Sequence, residues 1–336
     1  MPHSELKLFV GIDGGGTKTR ALIVSSDGIC RGNALVGASN PNSVGAETAL
    51  SNLRRALEEA AVSAGTTPHF EAGFFGISGV NDSVSAQFLR EKIAAFDGVS
   101  VRNYLVENDT RSLCAATFGM RSGIVLIAGT GSKCYGRTED GREWETGGYD
   151  FYVSDEGSAF DLARRGLIAA VRDADGRGEP TMLRELLFGA LQISETGQIS
   201  QRLHQDSLKN PGKPMSKEEI ASLAHFIDEA CLAGDAVARR IFEAAAEDLV
   251  KMVTTVIGKL RIPEGEARLG ITGGVILHEP GGEIFRRAMR RAVPGIEISE
   301  PAFPPVVGAA IRALALGGVA VTPVVTENLG MTFPKL

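Results

Sequence analysis

Gly11-Ile12-Asp13-Gly14-Gly15-Gly16-Thr17-Lys18-Thr19 is the stretch on which the reading of this chain turns. An apolar run, Leu6–Ile12, leads into it, and a β-rich run, Arg20–Ser25, leaves it. Two strands joined through three glycines predict a tight hairpin whose tip lets backbone N–H groups approach an anion without interference from Cβ atoms. A P-loop would place Gly-Lys-Ser/Thr at the start of a helix; here Thr17-Lys18 follows Gly16 and a strand comes next. A dinucleotide fingerprint belongs in a strand-to-helix turn, and the β-like Arg20–Ser25 fails that test. Two explanations stay open. The hairpin is a ligand-free turn, or it cradles nucleotide phosphates. In the second case Gly14, Gly15 and Gly16 present their amides, Asp13 holds Mg²⁺ through water, and Thr17 or Lys18 meets phosphate oxygens.

Outward from the hairpin, Asp27-Gly28 predicts a turn and Ile29–Leu35 a returning third strand. Ala46–Ala64 has apolar residues at helical spacing; Phe70–Ile77 reads as a strand, Ser83–Phe96 as a helix and Val99–Val106 as a strand. Asp109 then precedes a helical stretch, Thr110–Phe118. From there the opening recurs in outline. Gly123–Ala128 is an apolar strand, Gly129-Thr130-Gly131-Ser132 a small-residue loop, Lys133–Arg137 a strand, and Asp140-Gly141 a turn like the first. The recurrence predicts two related α/β domains, drawn at residues 1–118 and 119–336. Two facing glycine loops are what phosphoryl transfer from ATP requires, one for the β-phosphate and one for the γ-phosphate. A third glycine site, Ile271-Thr272-Gly273-Gly274-Val275, is either a surface for a flat adenine or an ordinary strand-to-helix turn.

After Asp155 the chain reads as mostly helical apart from the strand Arg268–Thr272. The helices expected are Glu156–Arg172, Thr181–Leu191, Lys217–Leu232, Ala236–Leu260, Gly282–Val293 and Val306–Leu316. Asp173–Pro180 is a loop, and the polar Gln192–Pro214 is a surface excursion. At 336 residues the chain exceeds one ordinary core. With 43% apolar and 23% charged residues and a mean hydropathy of +0.04, it has the composition of a soluble globular protein. A formal charge of −6 disfavours a nucleic-acid binder. Cys30, Cys114, Cys134 and Cys231 show no CxxC or zinc spacing, and Met1–Val10 carries no signal-peptide pattern, so a reduced, cytoplasmic protein is expected. Val306–Val321, the most membrane-like segment, is short and contains Arg312, which predicts a buried helix.

Seven motifs in fixed order carry a resemblance. They are Gly11–Thr19, Asn40-Pro41-Asn42-Ser43-Val44-Gly45, Gly76-Ile77-Ser78-Gly79, Leu126–Ser132, Asp155-Glu156-Gly157-Ser158-Ala159, Ile271–Val275 and Pro305-Val306-Val307-Gly308-Ala309. Together they resemble the BadF/BadG/BcrA/BcrD-type ATPases of the actin–hexokinase superfamily, and their N-acetylglucosamine kinase branch in particular. The resemblance implies two ribonuclease H-like α/β domains with mixed sheets, flanking helices and an interdomain cleft. It implies ATP and Mg²⁺ as cofactors, a small-molecule sugar substrate and, from family habit, a homodimer. By motif, Asn40 and Ser78 would contact the sugar, Asp109 would take the catalytic-base position, and Thr130 would lie between sugar and γ-phosphate. Asp155 would be a further sugar ligand, and Gly273 and Gly274 would flank the adenosine. The expected reaction is ATP-dependent phosphorylation of the 6-hydroxyl of an amino sugar, N-acetylglucosamine first, with glucosamine or another hexose or muramic sugar as alternatives.

Structural explanations compete at several of these positions. An Asp directly before a helix is a good N-cap, which fits Asp109. Asp155-Glu156 suits a helix N-terminus, and Asn40 and Asn42 beside Pro41 suit a turn. The family's Gly-Gly-Trp-Gly segment reads here as Gly147-Gly148-Tyr149-Asp150, and Ser154 replaces a further glycine before Asp155. Tyr149 and Asp150 thus fall near the expected sugar site, where Asp150 either hydrogen-bonds a hydroxyl or pairs with an ammonium and so favours glucosamine. Two other classes share the fold. One is a reductase-activating ATPase, which needs cysteines such as Cys114 and Cys134 around an iron–sulphur cluster; the other is a non-catalytic sugar sensor.

Overall fold

A computed structural model of the chain describes residues 7–204, 206–207, 210–211 and 214–334. The chain divides into two compact units, one formed by Met1–Gly123 with Glu300–Leu336 and the other by Ile124–Ser299. In the first unit, β1 (Leu8–Gly14), β2 (Lys18–Ser25) and β3 (Cys30–Gly37) form an antiparallel meander. A single turn, α1 (Pro41–Val44), leads into α2 (Ala46–Ser63), followed by β4 (His69–Ile77), α3 (Ser83–Ala94), β5 (Ser100–Glu107) and α4 (Thr110–Phe118). The sheet order is β3-β2-β1-β4-β5, with β1, β4 and β5 mutually parallel. Alternation of apolar residues makes one sheet face bury Val10, Ile12 and Ile23 against Leu53, Leu57 and Ala60 of α2.

The second unit repeats the sheet plan. Its strands are β6 (Gly123–Ala128), β7 (Ser132–Arg137) and β8 (Glu143–Gly147), and a helical block follows: α5 (Ala159–Ala174), α6 (Met182–Leu191) and α7 (Ile199–His204). A two-residue pairing, β9 (Asp206–Ser207) with β10 (Asn210–Pro211), precedes α8 (Lys217–Ser222), α9 (Ala224–Leu232) and α10 (Ala236–Leu260). The chain closes this unit with β11 (Arg268–Thr272), α11 (Gly274–Leu277), α12 (Gly281–Ala292) and β12 (Glu297–Ser299). Its five-stranded sheet runs β12-β11-β6-β7-β8, with β6, β11 and β12 parallel. One continuous core joins Leu126 and Ile271 of the sheet to Leu162, Ile227, Phe242 and Val253 of the helices.

The last two helices, α13 (Pro305–Leu316) and α14 (Pro323–Thr332), belong to the first unit. Helix α13 covers the second face of the first sheet, burying Val307, Ala310, Ile311 and Leu314 with Phe9, Leu22 and Phe74. Its backbone approaches so closely that a Cβ on Gly11 would sit 2.3 Å from the Ala310 nitrogen, and one on Gly308 1.8 Å from the Ser112 carbonyl oxygen. Only hydrogen fits at both positions. Arg312 emerges from this apolar helix onto Glu107, 3.0 Å away, with its guanidinium over the Phe74 ring. No helix among the described residues is long and apolar enough to cross a membrane.

Four expectations change, the first being that Arg268–Thr272 is joined after Asp155 by the strand β12 and the short β9–β10 pairing. A second domain drawn through to residue 336 gives way to one ending at Ser299, because α13 finds its apolar partner on the first sheet. The helix expected from Glu156 starts at Ala159, where Ser158 caps it by accepting the Asp161 N–H at 3.2 Å; Asp155 and Gly157 both have positive φ and cannot continue a helix. The single helix expected over Lys217–Leu232 is broken at Leu223 into two. Of the excursion expected over Gln192–Pro214, residues 205, 208–209 and 212–213 lie outside the described residues.

Candidate active site

In the first unit the candidate groups collect beyond the C-terminal ends of three parallel strands, where open α/β sheets present their ligand sites. Asp13, Gly76 and Glu107 are register neighbours across β1, β4 and β5. Asp109 follows two residues after the end of β5. The glycine hairpin turns back through a Gly15 N–H to Lys18 carbonyl bond of 2.9 Å. The Gly15 carbonyl accepts both the Ser39 and the Asn40 N–H at 3.1 Å, and the Gly14 carbonyl accepts the Ser78 N–H at 2.8 Å. These bonds fix Asn40 and Ser78 beside the hairpin. The amides of Gly16 and Thr17 donate to no acceptor among the described residues.

Asp13 is the most perturbed acid of this group. Enclosure at the strand end, reinforced by the nearby Asp109 charge, pushes its carboxyl up to about 7, against the opposing pull of Arg20 and Lys18. Two carboxylates so placed favour a cation between or beside them. No three His, Cys, Asp or Glu side chains converge as metal ligands among the described residues. That is compatible with Mg²⁺, which takes one or two carboxylates and completes its shell with phosphate and water. Asp13 fits the part on charge and enclosure.

Asp109 occupies the N-cap position of α4, yet its side chain makes no capping hydrogen bond. The cap is Asn108 instead, whose Oδ1 accepts the Thr110 N–H at 3.2 Å and the Thr110 hydroxyl at 2.8 Å. Its amide nitrogen donates to Asn81 Oδ1 at 3.0 Å. Asn40 does act as a turn former, its Oδ1 accepting the Asn42 N–H at 2.9 Å, while its amide nitrogen donates to no acceptor among the described residues. Gly79, with φ of +87°, admits this turn; a Cβ there would lie 2.3 Å from Asn40 Oδ1.

The second unit places its glycine loops on adjacent parallel strands. Gly129–Gly131 follows β6, Gly273 follows β11, and Thr272 pairs with Ile127 in register. Gly273, at φ +103°, lies so near the other loop that a Cβ would meet the Ala128 carbonyl oxygen at 2.3 Å. The Gly129 N–H closes the first loop onto the Gly131 carbonyl at 2.9 Å, and the start of α5 is tied to it by an Ala159 N–H to Gly129 carbonyl bond of 2.8 Å. As in the hairpin, two successive amides, here Thr130 and Gly131, donate to no acceptor among the described residues. Ser132 is anchored through its hydroxyl to the Glu156 carbonyl oxygen at 2.7 Å.

Asp155 is 2% exposed and directs both carboxylate oxygens within its own unit: Oδ1 accepts the Ser132 N–H at 3.0 Å and Oδ2 meets Lys217 Nζ at 2.5 Å. Lys217 escaped the sequence reading. The capping box Ser216…Glu219 announces a helix start, but nothing in sequence ties Lys217 to a carboxylate 62 positions earlier. Tyr149 and Asp150 are exposed on the turn before Asp155. Asp150, at φ +133°, accepts the Tyr152 N–H on Oδ1 at 3.0 Å, and its carbonyl accepts the Ser154 N–H at 2.8 Å. A turn-forming role for Asp150 was not foreseen.

Two five-stranded mixed sheets flanked by helices, each with glycine-lined strand ends, define an actin/hexokinase-like fold. The chain belongs to the BadF/BadG/BcrA/BcrD ATPase family, matching it over residues 10–313. It is 30% identical over 272 residues to an N-acetylmuramic acid/N-acetylglucosamine kinase of Clostridium acetobutylicum, covering 81% of this chain and 86% of that protein. It is 27% identical over 321 residues to the N-acetyl-D-glucosamine kinase of Dictyostelium discoideum, covering 92% of this chain and 98% of the relative. A Chromobacterium violaceum crystal structure, provisionally described as an N-acetylglucosamine kinase, superposes with a TM-score of 0.68 at 22% identity, over 93% of this chain and 99% of that one. At that identity the likeness is one of fold.

Proposed function

We propose that this protein is an ATP-dependent sugar kinase that phosphorylates the 6-hydroxyl of an amino sugar, N-acetylglucosamine first, with N-acetylmuramic acid and glucosamine as the neighbouring choices. The observation that carries the reading is Asp109. It sits at a helix start without capping the helix, beside Asp13, at the C-terminal end of parallel strands. A carboxylate at the C-terminal end of a strand is suited to accept the proton of an attacking hydroxyl. Around it, Asn40 and Ser78 supply polar groups for the acceptor. Thr130 adds a hydroxyl beside the second loop. The Gly16–Thr17 and Thr130–Gly131 amides are donors for phosphate oxygens, with Gly14, Gly15, Lys18, Gly129 and Ser132 completing the two loops and Gly273 and Gly274 the adenosine side. Bound Mg²⁺, held through Asp13, would neutralise charge on the transferring phosphoryl group.

The kinase names of the two relatives support a sugar acceptor. Asp150 Oδ1 accepts the Tyr152 N–H within its own turn, and the N-acylated sugars are put first on the names of the two relatives. Cys114 and Cys134 are fully buried, which lends the cluster-bearing activator no support. The test is an ADP-release assay coupled to NADH oxidation, run with hexoses, amino sugars and muramic derivatives. Sugar-dependent release led by N-acetylglucosamine or N-acetylmuramic acid is expected. Folded protein that releases no ADP with any of them overturns the proposal.

A further inference from the structure

We infer that Lys217 is a phosphate-binding residue of the Gly129–Ser132 loop, and that Asp155 holds its place until a nucleotide's terminal phosphate arrives. The inference rests on the nucleotide reading of that loop. Lys217 opens α8. A helix N-terminus carries partial positive charge and disfavours a cation there, so this lysine stands where helix stability alone would not put it. Its Nζ lies 2.5 Å from Asp155 Oδ2, while Asp155 Oδ1 accepts the Ser132 N–H at 3.0 Å. One buried carboxylate therefore bridges an ammonium and a loop amide, the two kinds of donor that a phosphate recruits.

The loop side is equally specific. A Cβ on Gly131 would lie 2.8 Å from Asp155 Oδ1 and 2.9 Å from Lys217 Nζ, so bare backbone faces the pair. The adjoining Thr130 and Gly131 amides donate to nothing among the described residues. Asp155 reaches this position through a φ of +68°, a left-handed conformation that Asp adopts more readily than most residues. The Ser132 N–H and Lys217 thus hold an anion that is a side chain, next in sequence to two loop amides with no acceptor among the described residues. A γ-phosphate entering the loop takes over Lys217 and the Ser132 N–H and releases the Asp155 carboxylate.

The alternative is a structural ion pair, in which removal of the lysine strands a buried charge and weakens the whole unit. Calorimetric titration with AMPPNP and ADP separates them, using wild type, Lys217→Met, Lys217→Arg and the double variant Asp155→Asn/Lys217→Met. Wild type is expected to bind AMPPNP more tightly than ADP. Lys217→Met should lower AMPPNP affinity about tenfold to a hundredfold, as loss of a charge-assisted bond does, and move ADP little. Lys217→Arg should recover part of the loss. The double variant, freed of a stranded carboxylate, should melt close to wild type and still lack the AMPPNP preference. Equal losses for both nucleotides, no loss for either, or a preference regained in the double variant would overturn the assignment. Wild type that binds neither nucleotide would remove the nucleotide reading itself.

Discussion

Asn108 takes a task, the capping of α4, that sequence alone offers to Asp109. From the chain, Asp109 before a helix reads equally well as cap and as base. The cap bonds run to Asn108, so the proposed base role of Asp109 can be tested without disturbing the cap. Asp109→Asn should therefore leave the cap of α4 intact while lowering kcat about 10²- to 10⁴-fold, the usual range for a general base. Asn108→Ala should do the reverse and destabilise by about 1 kcal/mol. Steady-state kinetics and thermal unfolding on the two variants check the division; a large loss of stability in Asp109→Asn would reassign it as structural. Asp13 offers a pH test. Its carboxyl titrates near 7 in the folded protein against an ordinary 3.8, so the folded state holds the proton more tightly than the unfolded chain. Below about pH 4 both states are protonated; as pH rises toward 7 the unfolded state ionises first and stability falls. With EDTA and no nucleotide, Asp13→Asn should stabilise the protein by on the order of 2 kcal/mol at pH 8 and by less at pH 5, while abolishing turnover. Equal gains at both pH values would place the cause elsewhere.

At the scale of elements, the hairpin of β1 and β2 was legible because a short-range pattern specifies it: two β-rich runs joined through three successive glycines. The helix α10 was legible for the same reason, its apolar spacing sustained from Ala236 to Leu260. Other boundaries depended on contacts that spacing does not carry. The start of α5 waits for Ser158 because Asp155 and Gly157 take positive φ to reach the loop, and the break at Leu223 lies within an uninterrupted helical pattern. Gly308, in the Pro305–Ala309 motif, is glycine because α13 packs against α4 there. Gly308→Ala forces a methyl group into the Ser112 carbonyl and should destabilise by about 3 kcal/mol, the upper part of the range for overpacking. Chemical denaturation measures it, and a loss below 0.5 kcal/mol, a roughly neutral surface-like effect, would mean the two helices separate freely.

For the molecule as a whole, the repeated sheet plan was visible in sequence because both units reuse strand, glycine loop, strand and turn. The return of the last helices was not, since α13 finds Phe9 and Phe74 more than 200 positions earlier, beyond any periodicity. A chain stopped at Ser299 should keep slow amide exchange in α10 and β11 and lose it in β1 and β4; protection retained in β1 would show that the first sheet stands without its second cover. The same connectivity orders events during synthesis. The sheet that begins the chain cannot be covered on both faces until α13 has left the ribosome, whereas Ile124–Ser299 is complete earlier. For the time it takes to make the intervening residues, the strand carrying Asp13 has one open apolar face, and chaperone engagement during translation is to be looked for there.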